Sequence, residues 1–305
     1  MTVSLIRGAL LAASLIAAPA AAQTDYAKVV VRTETLAPGV AVLFGSGGNI
    51  GIATGPDASV LIDDEFAPLT DKITAAVKAL SPTPIRFVIN THWHGDHTGG
   101  NANFGSAGVV IVAHDNVRTR MATDQFIALL KTTVPASPRI ALPMVTFGDG
   151  VTLHLNGEDI RAVHVAPAHT DGDTLVVFTR ANVIHMGDTF LTAGYPLIDR
   201  SSGGDAAGFI AAADRALALG NATTKYIPGH GPMGDRAALI QWRDMIATVI
   251  GRVRTGIAAG QPVAAVIAAK PTAEFDARWG HFFITPDQFV WTVYDSLTNA
   301  PVPTR

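Results

Sequence analysis

Short apolar runs separated by glycine, proline and aspartate dominate the first third of the chain after residue 25. Each run is four to six residues long, which is typical of strands in a packed sheet. Between them, residues 69–80 carry apolar side chains at helical spacing and stop before Ser81-Pro82, which predicts a helix. A second helix is predicted over 115–131. The predicted strands of this half are 28–32, 40–44, 49–53, 59–63, 85–90 and 109–113.

The second half repeats this scheme after an irregular, proline-containing connection at 135–143. An Asn156-Gly157 pair predicts a hairpin turn between two strands. We expect one domain over 23–305, with halves at about 25–143 and 144–260 and a helical tail at 261–305. The predicted strands are 151–155, 160–165, 174–178, 181–186 and 225–227, and the predicted helices are 205–219, 235–254, 263–269 and 286–297. Strand-rich halves that each trail helices suggest two stacked sheets with helices outside.

The segment from Asn90 to Asn101 concentrates candidate chemistry, with three imidazoles and one carboxylate within six residues. Neutral imidazole and carboxylate are the ligands that Zn²⁺ prefers when no thiolate is available. In an extended segment His92 and His94 point the same way and can reach one metal ion. Asp96 and His97 lie beyond the Gly95 bend and can turn toward a second ion.

Three more candidate ligands follow predicted strands downstream: His169, Asp188 and His230. With the His92–His97 motif they make the chain resemble the metallo-β-lactamase-fold hydrolase superfamily, over about residues 25–250. The resemblance implies an α+β fold, namely an αββα sandwich of two mixed sheets with helices on the outer faces. All seven metal positions of that superfamily are filled here.

The resemblance also implies which of these residues bind each metal ion and which take part in catalysis. A hydroxide bridging two zinc ions would attack a carbonyl group, and Asp96 and Asp188 would be catalytic as well as ligands. His94 favours zinc over a diiron centre, although iron remains open because mononuclear iron dioxygenases of the superfamily share the motif. The implied ligand sets are His92, His94 and His169 for the first zinc, Asp96, His97 and His230 for the second, and Asp188 between them.

Other residues take candidate roles from their position. Tyr195 and Arg200 lie in the 190–204 loop directly after Asp188, where Tyr195 is a candidate oxyanion donor and Arg200 a candidate carboxylate ligand. The alternative is that 195–198 packs as the core of the loop. Trp93 is a candidate wall of the substrate site, and the role of His281 is open.

Two features outside the ligand set take their roles from the resemblance. Asp63 is a candidate for orienting a ligand histidine, or a turn-forming residue, and Gly45–Gly48 is a hairpin over the metal mouth or a plain turn. We expect the remaining histidines to be structural: His114 as a helix cap, and His154, His164 and His185 on strands.

Charge and composition limit the kinds of partner that the chain can bind. The chain has 22 lysine and arginine residues and 25 aspartate and glutamate residues, a net charge of 22 − 25 = −3, so it lacks the basic surface that nucleic acid requires. The chain contains no cysteine, which excludes a cysteine nucleophile and the two β-lactamase subclasses that use a cysteine ligand. A small molecule is therefore the expected substrate, and the oligomeric state is left open.

Residues 1–22 have the pattern of a secretory signal peptide. Arg7 supplies the positive region, an apolar run at 9–18 follows, and Ala20-Ala21-Ala22 forms a cleavage site. The apolar run is too short to span a membrane. We therefore expect export, to a bacterial periplasm, with no membrane anchor after cleavage.

Several functions compete within this frame. The leading prediction is a dizinc hydrolase that opens a cyclic amide or ester and resembles a β-lactamase. Two features favour the alternatives of a lactonase or a thioesterase. Asp188 occupies the bridging position, and no lysine follows it that could bind a β-lactam carboxylate. A different class is a periplasmic metal-binding accessory protein of a quinoprotein or sulfur-oxidation system.

Overall fold

The computed structural model describes residues 24–299, so the predicted signal peptide at 1–22 lies outside the described residues. The first half of the described chain forms nine strands. Their bounds are β1 (Arg32–Ala37), β2 (Val40–Phe44), β3 (Ile50–Ala53), β4 (Ser59–Ile62), β5 (Ile85–Ile89), β6 (Val110–His114), β7 (Gln125–Ile127), β8 (Thr132–Val134) and β9 (Val145–Phe147). Seven of them form one sheet in the order β1-β2-β3-β4-β5-β6-β9, while β7 and β8 pair separately.

The second half forms a five-stranded sheet. Its strands are β10 (Gly150–Leu155), β11 (Glu158–His164), β12 (Thr174–Phe178), β13 (Val183–His185) and β14 (Lys225–Ile227), in sequence order across the sheet. Both sheets are mixed: β1 to β4 and β10 to β13 pair antiparallel, whereas β4-β5-β6-β9 and β13-β14 pair parallel.

Helices connect and cover the strands. They are α1 (Thr70–Leu80), α2 (Gly95–Thr98), α3 (Asn101–Ser106), α4 (Asp115–Met121), α5 (Ala206–Leu219), α6 (Arg236–Ala258), α7 (Val263–Ala268), α8 (Asp276–Trp279) and α9 (Pro286–Thr298). Among residues 24–299, no helix combines the length and the apolarity needed to cross a membrane.

Three apolar clusters define four layers. The central cluster joins the facing sides of the two sheets, through residues such as Ile62 and Phe178. A second cluster lies between the first sheet and α1, with Ile73 as a buried contact. The largest cluster packs the second sheet against α5, α6 and α9, where Trp242 and Phe289 are fully buried. The predicted αββα sandwich is confirmed.

Two local predictions were wrong. The apolar run at 28–32 is not a strand, and β1 begins only at Arg32. The carbonyl oxygens of Tyr26, Ala27 and Val29 instead accept hydrogen bonds of 2.6–2.9 Å from the Lys72 ammonium group of α1. The helix predicted over 115–131 ends at Met121. The β-branched and aromatic residues that follow form the β7–β8 hairpin, for which they have the better propensity.

The connection between the halves lies later than we expected. Residues 139–141 form a helical turn, and β9 then pairs in parallel with β6, so the first sheet extends beyond residue 143. The hairpin prediction is confirmed: Asn156 and Gly157 have φ values of 59° and 70° between β10 and β11. Such a pair of positive φ values matches the twist of the flanking strands.

Replacing Thr285 by alanine should lower the free energy of unfolding by about 1 kcal/mol. Thr285 caps α9: its hydroxyl accepts from the Gln288 amide, and the Gln288 side chain accepts from the Thr285 amide at 2.9 Å. Urea unfolding measures the change. The control is Thr255→Ala in the exposed interior of α6, which should leave stability unchanged or slightly raised; equal losses in both variants would argue against the cap.

Candidate metal centre

Segments that follow four strands converge on one site. β5 leads through His92 into α2, a single helical turn for which His94 is the N-terminal flanking residue. Asp96 and His97 therefore lie in a helical turn, beyond the bend that we expected at Gly95. The four segments follow β5 (His92, His94, Asp96, His97), β11 (His169), β13 (Asp188) and β14 (His230).

The first cluster contains His92, His94 and His169, all buried, with ligand nitrogens within 4.8 Å of one another. The Nδ1–H of His169 donates to the Leu197 carbonyl oxygen at 2.7 Å, which leaves its Nε2 as an acceptor. The Nε2 of His94 lies 3.1 Å from the Asp199 carboxylate, so its Nδ1 is the free acceptor. These two acceptors face each other at 2.7 Å, an arrangement that requires a shared proton or a metal ion between them.

The second cluster contains Asp96, His97 and His230. The Nε2 atoms of His97 and His230 are 3.2 Å apart, and an Asp96 carboxylate oxygen is 3.2 Å from the His230 Nε2. Two nitrogens bound to one tetrahedral zinc ion at 2.0–2.1 Å would lie roughly 3.3 Å apart. The cluster therefore has the spacing of a metal site.

Asp188 lies between the two clusters. One carboxylate oxygen is 3.1 Å from the His97 Nε2 and 3.5 Å from the His230 Nε2, while the other is 3.6 Å from the His169 Nε2. Each cluster therefore has one Asp188 oxygen beside it. The structure brings together all seven predicted ligands and divides them as the resemblance implied.

Buried polar atoms provide a test of whether these residues suit a metal ion. The Nε2 of His92 has no hydrogen-bond partner among residues 24–299. The Oδ1 of Asp188 is close to the Nε2 atoms of His97 and His230, but its contacts lack hydrogen-bond geometry. Leaving such atoms without partners in the interior costs free energy. A cation would satisfy both, and the donor set of imidazole nitrogens and carboxylate oxygens is that of zinc.

Asp63 orients His97. Its carboxylate is fully buried and lies 2.8 Å from the His97 Nδ1, and it also accepts from the Thr91 amide and hydroxyl at 2.8 Å. Asp63 has φ +66°, a conformation held by these contacts at the end of β4. Asp63 therefore contacts a candidate ligand histidine, as we expected; such carboxylate–histidine contacts fix the ring and its tautomer.

Two supporting residues were missed from the sequence. The Asp199 carboxylate contacts the His94 ring and also accepts a hydrogen bond from the Ser202 hydroxyl at 2.5 Å. The Asp173 carboxylate accepts hydrogen bonds from the backbone amides of Ala168, His169 and Thr170, and so it stabilises the turn that contains His169. The Thr170–Asp173 spacing is a turn signal that pointed to this role, whereas Asp199 had no local signal because its partner is 105 residues away.

The hairpin turn between β2 and β3 lies over the clusters. The Glu65 carboxylate accepts from the Ser46 and Gly47 amides at 3.0 and 3.1 Å, and the Gly48 amide donates to the Asp96 carbonyl oxygen. Gly48 is in contact with the His97 ring: a Cβ atom there would be 2.1 Å from the His97 Cε1. The hairpin position implied by the resemblance is present.

Charge within the site favours a cation. Burial lowers the pKa of His230, but Asp188 and Asp96 outweigh it and raise the pKa to about 9. Burial also lowers the pKa of His97, and Asp188, Asp96 and Asp63 together raise it well above its ordinary value. In the first cluster, burial and the neighbouring His94 lower the pKa of His169 to about 4, so this ring is a neutral ligand at pH 7.

Three residues predicted to bind substrate have other partners. The Tyr195 hydroxyl donates to Asp276 at 2.8 Å and its ring stacks on Phe289, so the hydroxyl is not directed toward an oxyanion. The buried Arg200 donates to Asp295 at 3.1 Å and to the Gly204 carbonyl oxygen, so it is not available to a substrate carboxylate. Trp93 is buried, donates to Ser202 and packs on His94, which makes it a support for the site and not a wall.

Residues 195–198 are buried, in agreement with the alternative that this segment forms the core of its loop. His281 is exposed and is not among the described residues that line the cavity beside the clusters. The other histidines are structural, as expected. His114 caps α4 and stacks on His164, His185 contacts the Asn49 carbonyl oxygen, and His154 pairs with Asp159 at the surface.

A cavity of about 610 Å³ opens beside both clusters. His94, Asp96, His169, Asp188 and His230 form its polar side, and Ser46 of the hairpin lies at its rim. This volume is within the range of small-molecule sites. The candidate metal centre is therefore accessible to a small molecule.

Comparison with known proteins supports this geometry. The sequence model of the family Lactamase_B, described as Metallo-beta-lactamase superfamily, matches residues 43–230, which include all seven candidate ligands. The chain belongs to the metallo-beta-lactamase superfamily. Superfamily membership accounts for the two mixed sheets and for the position of the His/Asp clusters at the ends of their strands.

Curated relatives within the superfamily are distant. Lactamase-like protein vrtG of Penicillium aethiopicum is 28% identical over 221 residues, which cover 72% of this chain and 61% of that protein. Atrochrysone carboxyl ACP thioesterase of Aspergillus fumigatus is 24% identical over 148 residues, which cover 48% of this chain and 30% of that protein. The chain spans less than two thirds of the length of both relatives.

Several solved structures share the fold of this chain. The sec-alkylsulfatase Pisa1 from Pseudomonas sp. superposes with a TM-score of 0.69 at 18% identity, covering 88% of this chain and 50% of that one. The metallo-beta-lactamase FIM-1 from Pseudomonas aeruginosa, in a mono-zinc form, superposes with a TM-score of 0.55 at 21% identity. The superposition covers 71% of this chain and 95% of that one. At these identities the comparison establishes the fold alone.

Replacing Gly48 by alanine should weaken metal binding in the second cluster by about tenfold or more, because the new methyl group must displace the His97 ring. Metal content after dialysis against a graded chelator series measures the change. The matched control is Gly95→Ala, where a Cβ atom meets nothing within 4 Å, and metal content should be retained. Retention in both variants would contradict the assignment of His97 as a ligand.

Replacing Asp199 by asparagine should lower metal affinity about 10–100-fold, because the carboxylate that orients His94 is lost. Competition with a chromophoric chelator measures the dissociation constant. Asp159→Asn removes a similar contact to a histidine, His154, at the exposed surface and should leave metal binding unchanged. An unchanged affinity in Asp199→Asn would show that His94 needs no such support.

Proposed function

We propose that this chain is a hydrolase with two metal ions, which opens an ester or amide bond of a small molecule. The observation that carries the proposal is the pair of His/Asp clusters with Asp188 between them, open to a cavity. Paired metal sites of this kind serve hydrolysis by dividing the stabilisation of attacking and leaving groups. Membership of the superfamily supports a hydrolase.

Zinc is the metal we propose for both clusters. The three imidazoles of the first cluster, and the two imidazoles and the carboxylate of the second, suit zinc, and no cysteine is available. When bound, zinc lowers the pKa of water toward neutrality and polarises a carbonyl group. His92, His94 and His169 would hold one ion, Asp96, His97 and His230 would hold the other, and Asp188 would contact both.

The chain's own residues supply orientation and proton transfer. Asp63 and Asp199 fix the rings of His97 and His94, so that their ligand nitrogens stay directed into the site. Asp96 is the carboxylate with the greater exposure to the cavity, at 33% against 11% for Asp188. We assign Asp96 the transfer of a proton from water to the leaving group, and Asp188 the alignment of the two clusters.

We place linear esters, lactones and thioesters ahead of β-lactams as substrates. Lysine and arginine are missing from the described residues that line the cavity, so nothing in that set is suited to hold a β-lactam carboxylate. A relative named as a thioesterase supports acyl transfer from a thioester as one form of this reaction. Weak, promiscuous opening of a β-lactam remains a secondary activity to be tested.

The place of action is also part of the proposal. Arg7, the apolar run at 9–18 and the alanines at 20–22 support export to a periplasm. A metal-binding accessory role, with a dehydrogenase or a sulfur-oxidising system as partner, is the competing function. Purified protein that hydrolyses a substrate by itself would exclude the accessory role as its only function.

The decisive experiment measures metal content and hydrolysis in one preparation. We expect two zinc ions per chain and turnover of esters or lactones, with little turnover of a chromogenic cephalosporin. Asp188→Asn should lower kcat/KM by about 10²-fold or more and reduce zinc below two per chain, whereas Asp235→Asn at the start of α6 should leave zinc content unchanged. One iron ion per chain and no hydrolysis would contradict the proposal.

A further inference from the structure

Apart from the candidate ligands, the wall of the cavity is largely apolar. It is formed by side chains from four separate parts of the chain, and it includes no lysine or arginine among the described residues. The apolar residues are Phe66, Ile127, Leu130, Leu191, Leu197, Phe282 and Phe283.

Phe282 and Phe283 are the exposed part of this wall. Their side chains are 41% and 56% exposed, although large aromatic residues usually bury most of their surface. The Phe282 ring lies 5.7 Å from the ring of the candidate ligand His230, and the Phe283 ring lies 6.4 Å from Phe282. An apolar group bound beside the metal centre would cover both rings.

The segment that carries these rings is hydrogen-bonded to the 190–204 loop, which follows Asp188. The Tyr195 amide donates to the Trp279 carbonyl oxygen at 3.0 Å, and the Tyr195 hydroxyl donates to Asp276. Gly194 contacts Phe282 so closely that a Cβ atom there would be 2.2 Å from the Phe282 Cβ. Phe282 and Phe283 are therefore a preformed part of the wall, although both lie outside residues 43–230, which the family model covers.

Nearby cations are paired with acidic side chains. Arg120 makes two contacts of 2.6 and 2.7 Å with Asp171, and Arg200 is buried against Asp295. Neither guanidinium group is available to an anionic substituent of a substrate. Burying an unpaired charge against the apolar wall would be costly, so the cavity disfavours charged substituents.

From these contacts we propose that the cavity selects an uncharged substrate whose bulky apolar group packs against Phe282 and Phe283. The proposal rests on the proposed hydrolase function for its reaction, and it adds the class of substrate. The scissile bond would lie at the His94–His230 side, and the apolar group would extend toward the two phenylalanines.

Hydrolysis of matched esters tests the selection. We expect kcat/KM to rise from p-nitrophenyl acetate to the octanoate, and to fall at least about tenfold for the mono-p-nitrophenyl ester of suberic acid, which has the same chain length and a terminal carboxylate. Equal rates for the octanoate and the suberate ester would overturn the proposal.

Variants test the aromatic wall. In the double variant Phe282→Ala/Phe283→Ala, the octanoate-to-acetate ratio of kcat/KM should fall about tenfold, and Phe282→Leu/Phe283→Leu should restore part of it. Trp291→Ala removes an aromatic side chain of similar exposure, 39%, from α9 and should leave the ratio unchanged. An unchanged ratio in the double alanine variant, with an unchanged melting temperature, would overturn the assignment of the wall.

A binding measurement separates this inference from the hydrolase proposal. The purified protein is titrated with the apolar dye N-phenyl-1-naphthylamine, and the dye is then displaced with 1-octanol or 1-butanol. We expect 1-octanol to displace it at concentrations at least about tenfold lower, and this difference to shrink in the double alanine variant. That result without ester hydrolysis would support the apolar site and contradict the hydrolase function; no preference for 1-octanol would overturn the apolar site.

Discussion

Two histidine nitrogens that face each other at 2.7 Å in a buried site are the constraint on which this structure depends. Both have lone pairs directed into the gap, because Leu197 and Asp199 occupy the other nitrogen of each ring. Such an arrangement is stable only around a positive charge. The second cluster, with Asp188 beside it, also directs nitrogen and oxygen atoms toward one another, so it requires a positive charge as well.

The layers of the sandwich make this arrangement possible. A charged cluster can be buried only if rigid elements hold each member, and here strands of both sheets end at the site. Asp63 and Glu65 follow β4 directly, and they fix His97 from one side and the β2–β3 hairpin from the other. The two sheets therefore act as a common frame for ligands that are more than 130 residues apart in the sequence.

Much of this could be predicted from the sequence, for identifiable reasons. Strands such as β12 and β14 and the Asn156-Gly157 turn have strong local signals, and the seven ligands are side chains that seldom cluster without a metal. The β7–β8 hairpin could not be predicted, because its apolar spacing also fits a helix. Asp199 and the Tyr195–Asp276 contact depend on chain segments that meet only in the fold, so local spacing gave no indication of them. The Tyr195 hydroxyl illustrates the limit: proximity to Asp188 in sequence suggested catalysis, whereas its hydrogen-bond partner lies 81 residues away.

The Tyr195–Asp276 hydrogen bond joins two regions of the chain that contribute different parts of the cavity. The region up to His230 contains the candidate ligands, and the region after Asp276 contains Phe282 and Phe283. Phe282 and Phe283 can change in size and polarity while the ligand rings keep supports of their own, such as Asp63 and Asp199. Diversification of such a protein can therefore proceed by substitutions at these two positions, with the candidate metal centre inherited intact.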